Sequence, residues 1–259
     1  MHPVLFKIMF IEARSYYVLW AFALLIFILW TRSRAVKRFA ISWDDATSVI
    51  LWVYTGAILG ALTGTAAERI PLYLSGALSL SDVFKGGLSA LPGMLFGGLF
   101  GIYRLKKLGI SIDKFADSAS LPASALIAAG RPGCFLEGCC LGKGFYLNDA
   151  PMWLVHFPFD PPSFFRCPTQ LMESLLGFLL LSILFTLEKY MDKTGKKFRG
   201  AVLFPIFLMS YGSFRIIFDG MRESSADSAF SSGLILAYVQ LVFGLLWLFK
   251  TLKYGSDIK

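Results

Sequence analysis

From Tyr16 to Trp30 the chain reads YYVLWAFALLIFILW, and the next four residues are Thr31-Arg32-Ser33-Arg34. An uncharged run of this kind, closed by a basic cluster, is the pattern of a helix that crosses a hydrocarbon core, for which roughly 20 apolar residues suffice. The charge follows the apolar run instead of preceding it, and no small-residue cleavage site ends it. A secretory signal has the opposite polarity, so this is a first span that stays in the protein. Further runs of the same kind lie at 48–66, 87–103, 120–137, 169–187, 201–219 and 231–249. With 16–31 they make about seven spans. The sequence predicts an all-α, polytopic membrane protein with residues 1–259 in a single integral membrane domain.

Composition agrees. Of the 259 residues 56% are hydrophobic and 16% charged, and the mean hydropathy is +0.64. Soluble domains are about 45–50% apolar and about 25% charged. The net charge of +8 would draw a soluble protein to nucleic acid. Here, however, the basic residues fall in short clusters between apolar runs, the arrangement of loops beside anionic lipid, and no nucleic-acid partner is expected. Sixteen of the 25 Lys and Arg lie at 32–38, 104–114, 189–199 and 250–259, always on connections of the same parity. The positive-inside rule makes that side cytoplasmic, with the N-terminus outside and the C-terminus in the cytoplasm. The third and fourth spans are rich in Gly, Ala and Ser, which lets helices approach closely, so they are expected inside the bundle. The first, fifth and seventh are dense in Leu, Phe, Ile and Trp and are expected to face lipid.

An ionisable residue within a span costs several kcal/mol unless it has a partner or a wet cavity. Arg131, in Ala128-Ala129-Gly130-Arg131-Pro132-Gly133-Cys134, is the clearest case. Pro132 removes a helical donor and is expected to break the helix there. A guanidinium at that point suits a phosphate, which its planar fork binds through two parallel bonds; the plainer alternative is an arginine that snorkels to the interface or pairs with a carboxylate. Tyr211, Arg215 and Asp219 recur at i, i+4 and i+8, with Arg222 at i+11, a second polar stripe on one helix face. An intrahelical Arg215–Asp219 pair that merely neutralises charge is the plainer reading; two arginine stripes at the same outer depth point instead to a shared anionic site. The run Cys167-Pro168-Thr169-Gln170-Leu171-Met172-Glu173 reads as a helix N-terminus, with proline at the start and an acid early on. Arg14 and Tyr16 stand at the outer end of the first span, where tyrosine is commonly an interfacial anchor. Cys134, Cys139, Cys140 and Cys167 all map to the outer side. The C-x4-C-C spacing matches no usual zinc pattern, no metal or cofactor is expected, and small packing residues are the expected role.

The stretch Gly130-Arg131-Pro132-Gly133-Cys134-Phe135-Leu136-Glu137-Gly138-Cys139-Cys140-Leu141-Gly142-Lys143 resembles the signature of prolipoprotein diacylglyceryl transferases. These are seven-span enzymes of the bacterial cytoplasmic membrane. They move diacylglyceryl from phosphatidylglycerol to a lipoprotein cysteine. Arg14-Ser15-Tyr16, Gly86-Gly87-Leu88-Ser89, Pro168-Thr169-Gln170-Leu171 through Glu173, and Tyr211-Gly212 through Arg222 resemble the family's other motifs, in the right order. The resemblance implies a catalytic set of Arg131, Arg215, Asp219 and Tyr16. It implies substrate-binding roles for Arg14, Arg131, Cys134, Gly142, Glu173 and Arg222. The implied partners are phosphatidylglycerol, a prolipoprotein lipobox peptide and membrane lipids.

The chain departs from the family pattern at Leu91, where a histidine proposed as base is usual, at Leu62 in place of a second-span arginine, and at Cys167 in place of a histidine. Cys134 stands for Asn and Asp219 for Glu. Without the histidine, Asp219, Glu173 and His156 are the candidate bases. The alternative reading is a non-catalytic or altered-specificity lipid-binding protein on the same scaffold.

Overall fold

The computed structural model describes residues 4–8, 11–83, 89–148, 151–195, 200–223 and 232–255. An antiparallel hairpin of β1 (Val4–Ile8) and β2 (Ile11–Arg14) runs directly into α1 (Ser15–Phe39). α2 (Trp43–Leu74), a short α3 (Leu80–Val83), α4 (Ala90–Lys107) and α5 (Ile112–Glu137) follow. A two-stranded ribbon of β3 (Gly144–Tyr146) and β4 (Phe164–Arg166) precedes α6 (Thr169–Thr194), α7 (Leu203–Phe218) and α8 (Ser232–Gly255). By length and composition α1, α2, α6 and α8 can each cross a membrane, and the protein is a mostly helical membrane protein. The motif at Gly86–Leu88 and the basic residues Lys85, Lys196, Lys197, Arg199 and Lys259 lie outside the described residues.

The helices outrun the apolar windows because polar residues continue and cap them. Ser42 accepts a bond from the Asp45 backbone N–H at 3.1 Å and starts α2 well before its apolar stretch. Gly195, at φ 67°, closes α6 in the left-handed conformation.

The chain divides into two compact units, Arg32–Phe115 and the remainder. In the first, Gly56 and Gly60 of α2 press on Phe96 and Pro92 of α4. In return Gly93, Gly97 and Gly101 of α4 meet Ala57, Ala61 and Val53. A methyl group at Gly60 would collide with the Pro92 carbonyl oxygen, so this contact requires glycine. Only that stripe of α4 is covered, while Met94, Leu95, Phe96 and Leu99 are exposed. The third span was expected inside the bundle; in the structure the glycines of α4 make one packing face, against α2, and leave the opposite side exposed.

In the second unit, Leu121, Leu180, Leu184, Leu203, Phe207 and Leu208 form an apolar core among α5, α6 and α7. The buried Asp117 carboxylate accepts the backbone N–H of Val202 at 3.0 Å and of Phe204 at 2.9 Å, and so caps the start of α7 from another helix. The expected break at Pro132 does not occur, since α5 is continuous through both Pro122 and Pro132. Pro132 has no N–H to give the Ala128 carbonyl. The Ser174 hydroxyl of α6 donates to that carbonyl instead, at 2.7 Å. Gly177, one turn further along α6, brings the two backbones close enough for this.

Candidate functional site

Glu173, on the second turn of α6, is 1% exposed and is the point on which the arginines converge. Arg131 Nη2 of α5 lies 2.5 Å from Oε2. Arg215 Nη1 of α7 is 3.1 Å from Oε1, and Arg222 Nη1 is 2.5 Å from the same oxygen. The Tyr211 hydroxyl donates to Oε2 at 3.3 Å and accepts from Arg131 Nη2 at 3.3 Å. Asp219 stands at 4.0 Å from Arg215, so the intrahelical pair read from the sequence is secondary to Glu173. Three guanidiniums against Glu173 and Asp219 leave one positive charge in excess. A buried charge is tolerated only when paired and hydrogen-bonded, so the surplus positive charge suits a further anion with acceptor oxygens. Beside them is a cleft lined by Thr169, Met172, Glu173, Phe214, Arg215, Phe218 and Arg222. It joins charge to apolar surface.

The local fold explains how Arg222 arrives. α7 ends at Phe218 and a 3₁₀ turn, Asp219–Met221, redirects the chain. Arg222 is thus in extended backbone and not on the helical stripe expected for it. It bridges antiparallel to Gly142, flanked by Lys143 N–H to the Met221 carbonyl at 2.8 Å and Glu223 N–H to the Leu141 carbonyl at 3.1 Å. A Cβ at Gly142 would collide with the Cys167 carbonyl, so glycine here permits two backbones to cross. Arg166 ties the same loop together: its Nε is 2.9 Å from Asp160 and its Nη1 2.9 Å from Glu223. The Asp160 carboxylate first, and Glu223 with it, hold this guanidinium above its usual range.

The remaining expected site residues lie along α1 and the end of α5. Arg14, half exposed, pairs with Glu137 at 2.8 Å. Tyr16 packs its ring against Tyr17 and Trp20, and Gly133 lets α5 reach the Tyr16 backbone. The Trp20 indole N–H points to Cys134 Sγ at 3.4 Å. His156 is exposed in the loop, with Nδ1 2.9 Å from the Phe164 carbonyl and its ring on Phe165. Leu62 and Leu91 belong to the other unit, on α2 and α4.

Cys134 and Cys167 are buried, Cys139 is half-buried and Cys140 exposed. The Sγ atoms of Cys134, Cys139 and Cys140 all lie within 4.8 Å of one another. Cys140 is thus no buried packing residue, contrary to the expectation for all four. Hydrogen bonds from Cys134 and Cys139, and then the Arg131 and Arg222 charges, hold the Cys140 thiol below its ordinary range. Burial pushes Cys167 up. The sequence reading missed Glu137 as the partner of Arg14 and Glu173 as the hub. The signal for the hub was an acid a few residues into an otherwise apolar span, which must find cations.

Fold and site define a helical membrane protein with a buried, net-cationic cluster beside a cleft whose apolar wall is Met172, Phe214 and Phe218. The chain belongs to the prolipoprotein diacylglyceryl transferase family, whose profile matches residues 3–250. It is 32% identical to the phosphatidylglycerol–prolipoprotein diacylglyceryl transferase of Geobacter sulfurreducens, over 94% of this chain and 92% of that one. It is 30% identical to the protein of that name in Photobacterium profundum (96% and 93%) and 29% identical to that of Aliivibrio salmonicida (99% and 91%).

Proposed function

We propose that the protein transfers a diacylglyceryl group from phosphatidylglycerol to the cysteine thiol of a prolipoprotein. The observation that carries this is the convergence of Arg131, Arg215 and Arg222 on Glu173 beside the cleft of Phe214 and Phe218. The lipid phosphate takes the open donors of the arginines, and the acyl chains follow the apolar wall. The peptide sulfur attacks the glyceryl carbon, the carbon–oxygen bond breaks, and its electron pair leaves on glycerol phosphate. Negative charge grows on that leaving group, so preformed guanidiniums stabilise the transition state more than the diester. Glu173 holds the three cations in place before the lipid arrives. Tyr16, Arg14, Cys134 and Gly142 frame the side of the site formed by α1, the end of α5 and the loop after it.

The same reading places about seven spans in one membrane domain of the bacterial cytoplasmic membrane, N-terminus outside and C-terminus inside. α4 and α7 count among the seven, with 18 and 16 residues, or about 27 and 24 Å at 1.5 Å per residue. The basic residues Lys37, Arg38, Arg104, Lys106, Lys107, Lys193 and Lys253 all fall in last turns of helices, on the side the parity argument makes cytoplasmic.

Leu91 in the place of a histidine favours one alternative, a scaffold that binds the lipid without turnover. Purified protein incubated with phosphatidylglycerol labelled in its acyl chains and a lipobox peptide separates the two. Labelled thioether peptide supports the transferase; retained lipid without any thioether supports the binding protein.

A further inference from the structure

We infer that Cys134, Cys139 and Cys140 form a three-thiolate site for one zinc ion, with the fourth position open to the acceptor's thiol. Three sulfurs from a C-x4-C-C run meet because the chain folds back sharply after α5. Gly138 is at φ 74° and Cys140 at φ 56°. A non-glycine residue in that region is strained, and such strain persists only where the surroundings enforce it. They do so here: Gln170 Nε2 donates to the Cys139 carbonyl at 2.7 Å and Thr169 Oγ1 to the Cys140 carbonyl at 3.2 Å. Cys134 is fixed on α5 and contacted by Trp20.

The sulfurs are mutually within 4.8 Å. Thiolates on tetrahedral zinc, with Zn–S about 2.3 Å, stand about 3.8 Å apart. Binding would therefore draw the sulfurs together by up to about 1 Å, and Cys140, the exposed one of the three, is the side chain with room to turn. All three donors are soft sulfur, which selects zinc over magnesium or calcium. Three protein ligands with an open fourth place is the form of a zinc site that acts on a bound group, not of one that only braces a fold. The open place lies next to the arginines: Arg131 precedes Cys134 by one helical turn, and Cys140 leads into the Gly142–Arg222 bridge.

This deepens, and rests on, the transferase reading. A thiol bound to zinc is held as thiolate, its proton passing to water. Its electron pair forms the carbon–sulfur bond as the carbon–oxygen bond to glycerol phosphate breaks, and the neutral thioether leaves the metal. No oxidant or reductant enters. Such a site supplies the deprotonation that Leu91 cannot.

The test uses purified, reduced, chelator-stripped protein and needs no turnover. Titration with zinc against a chromogenic chelator is expected to show one ion per chain. Cobalt(II) in its place should give sulfur-to-metal charge-transfer bands. Loss of outer-shell partners already costs metal sites about 10–100-fold in affinity. Each of Cys134→Ser, Cys139→Ser and Cys140→Ser should lower affinity by about tenfold or more, and Cys167→Ser should not. Cys140→Ser is exposed, so an unchanged apo melting curve certifies its fold. A lipobox peptide should alter the cobalt spectrum, and its serine counterpart should not. Stoichiometric binding that ignores all three substitutions, or no binding, overturns the site. Binding with no response to the peptide thiol overturns the open position. Absence of thioether product, measured separately, would instead fail the transferase reading and leave the metal result standing.

Discussion

Arg222 Nη1 lies 2.5 Å from Glu173 Oε1 across 49 residues of sequence. The contact exists because α7 stops at Phe218 and the next turn carries the chain back to Gly142. Glu173 is therefore shared by a helix partner, Arg215, and a loop partner, Arg222.

Removing the charge at that hub should be costly. Breaking a buried ion pair from one side costs about 3–5 kcal/mol, because the remaining charge is left unpaired. Glu173→Gln is expected to lower the melting temperature and to abolish most transfer, and Glu173→Asp, one methylene shorter, to fall between. Thermal melting and thioether yield read this; an unchanged Glu173→Gln protein would remove the hub from the account.

Neither Asp219 nor His156 should be the base. Asp219 is a counter-ion to Arg215 at 4.0 Å, and His156 is held in the loop by its Nδ1 at 2.9 Å from the Phe164 carbonyl. In metal-stripped protein the transfer rate should climb with pH toward the ordinary thiol value of about 8.5. Zinc should move that rise to lower pH. Asp219→Asn and His156→Ala should keep the shape of both profiles. A limb lost in either variant identifies that residue as the base.

Cys140 and Cys167 should part in their reactivity. Thiolate is the reactive form, so a lowered thiol stays reactive as pH falls and a raised one does not. With iodoacetamide, metal-free protein should be alkylated at Cys140 down to mildly acidic pH. Cys167, buried and raised, should require alkaline pH. Peptide mass spectrometry at several pH values reads both.

The orientation can be checked in intact cells. Cysteines engineered at Ser79 and Asn148 should react with an impermeant thiol reagent above the labelling of the unmodified protein, and those at Ser33 and Thr194 should not. The opposite pattern would invert the topology.

The helical membrane class was legible in the sequence, since apolar runs report the solvent each segment meets. What eluded it depended on contacts between segments. The Pro132 effect could not be foreseen, because the bond the Ala128 carbonyl forfeits is replaced by Ser174, 46 positions away. The α2–α4 glycine seam explains why α4 looks weakly apolar, yet half of α4 is exposed. In the site, Arg131, Arg215 and Arg222 were visible as rare charges at span ends. Their common partner was not, since an acid near a helix start has a local explanation that conceals a tertiary one. The three thiols were hidden by irregular spacing and joined by two left-handed residues.

The central claim is that the arginines on Glu173 bind the lipid phosphate and stabilise its departure. Lysine keeps the charge but loses the two-pronged geometry. The decisive measurement is thioether yield per unit time from phosphatidylglycerol and a lipobox peptide, for the unmodified protein, Arg131→Lys and Arg215→Lys, each checked for folding by thermal melting. Product is expected from the unmodified protein, with a loss of about tenfold or more in each variant, the equivalent of about 1.4 kcal/mol of transition-state stabilisation. Folded lysine variants that turn over at the unmodified rate would contradict it.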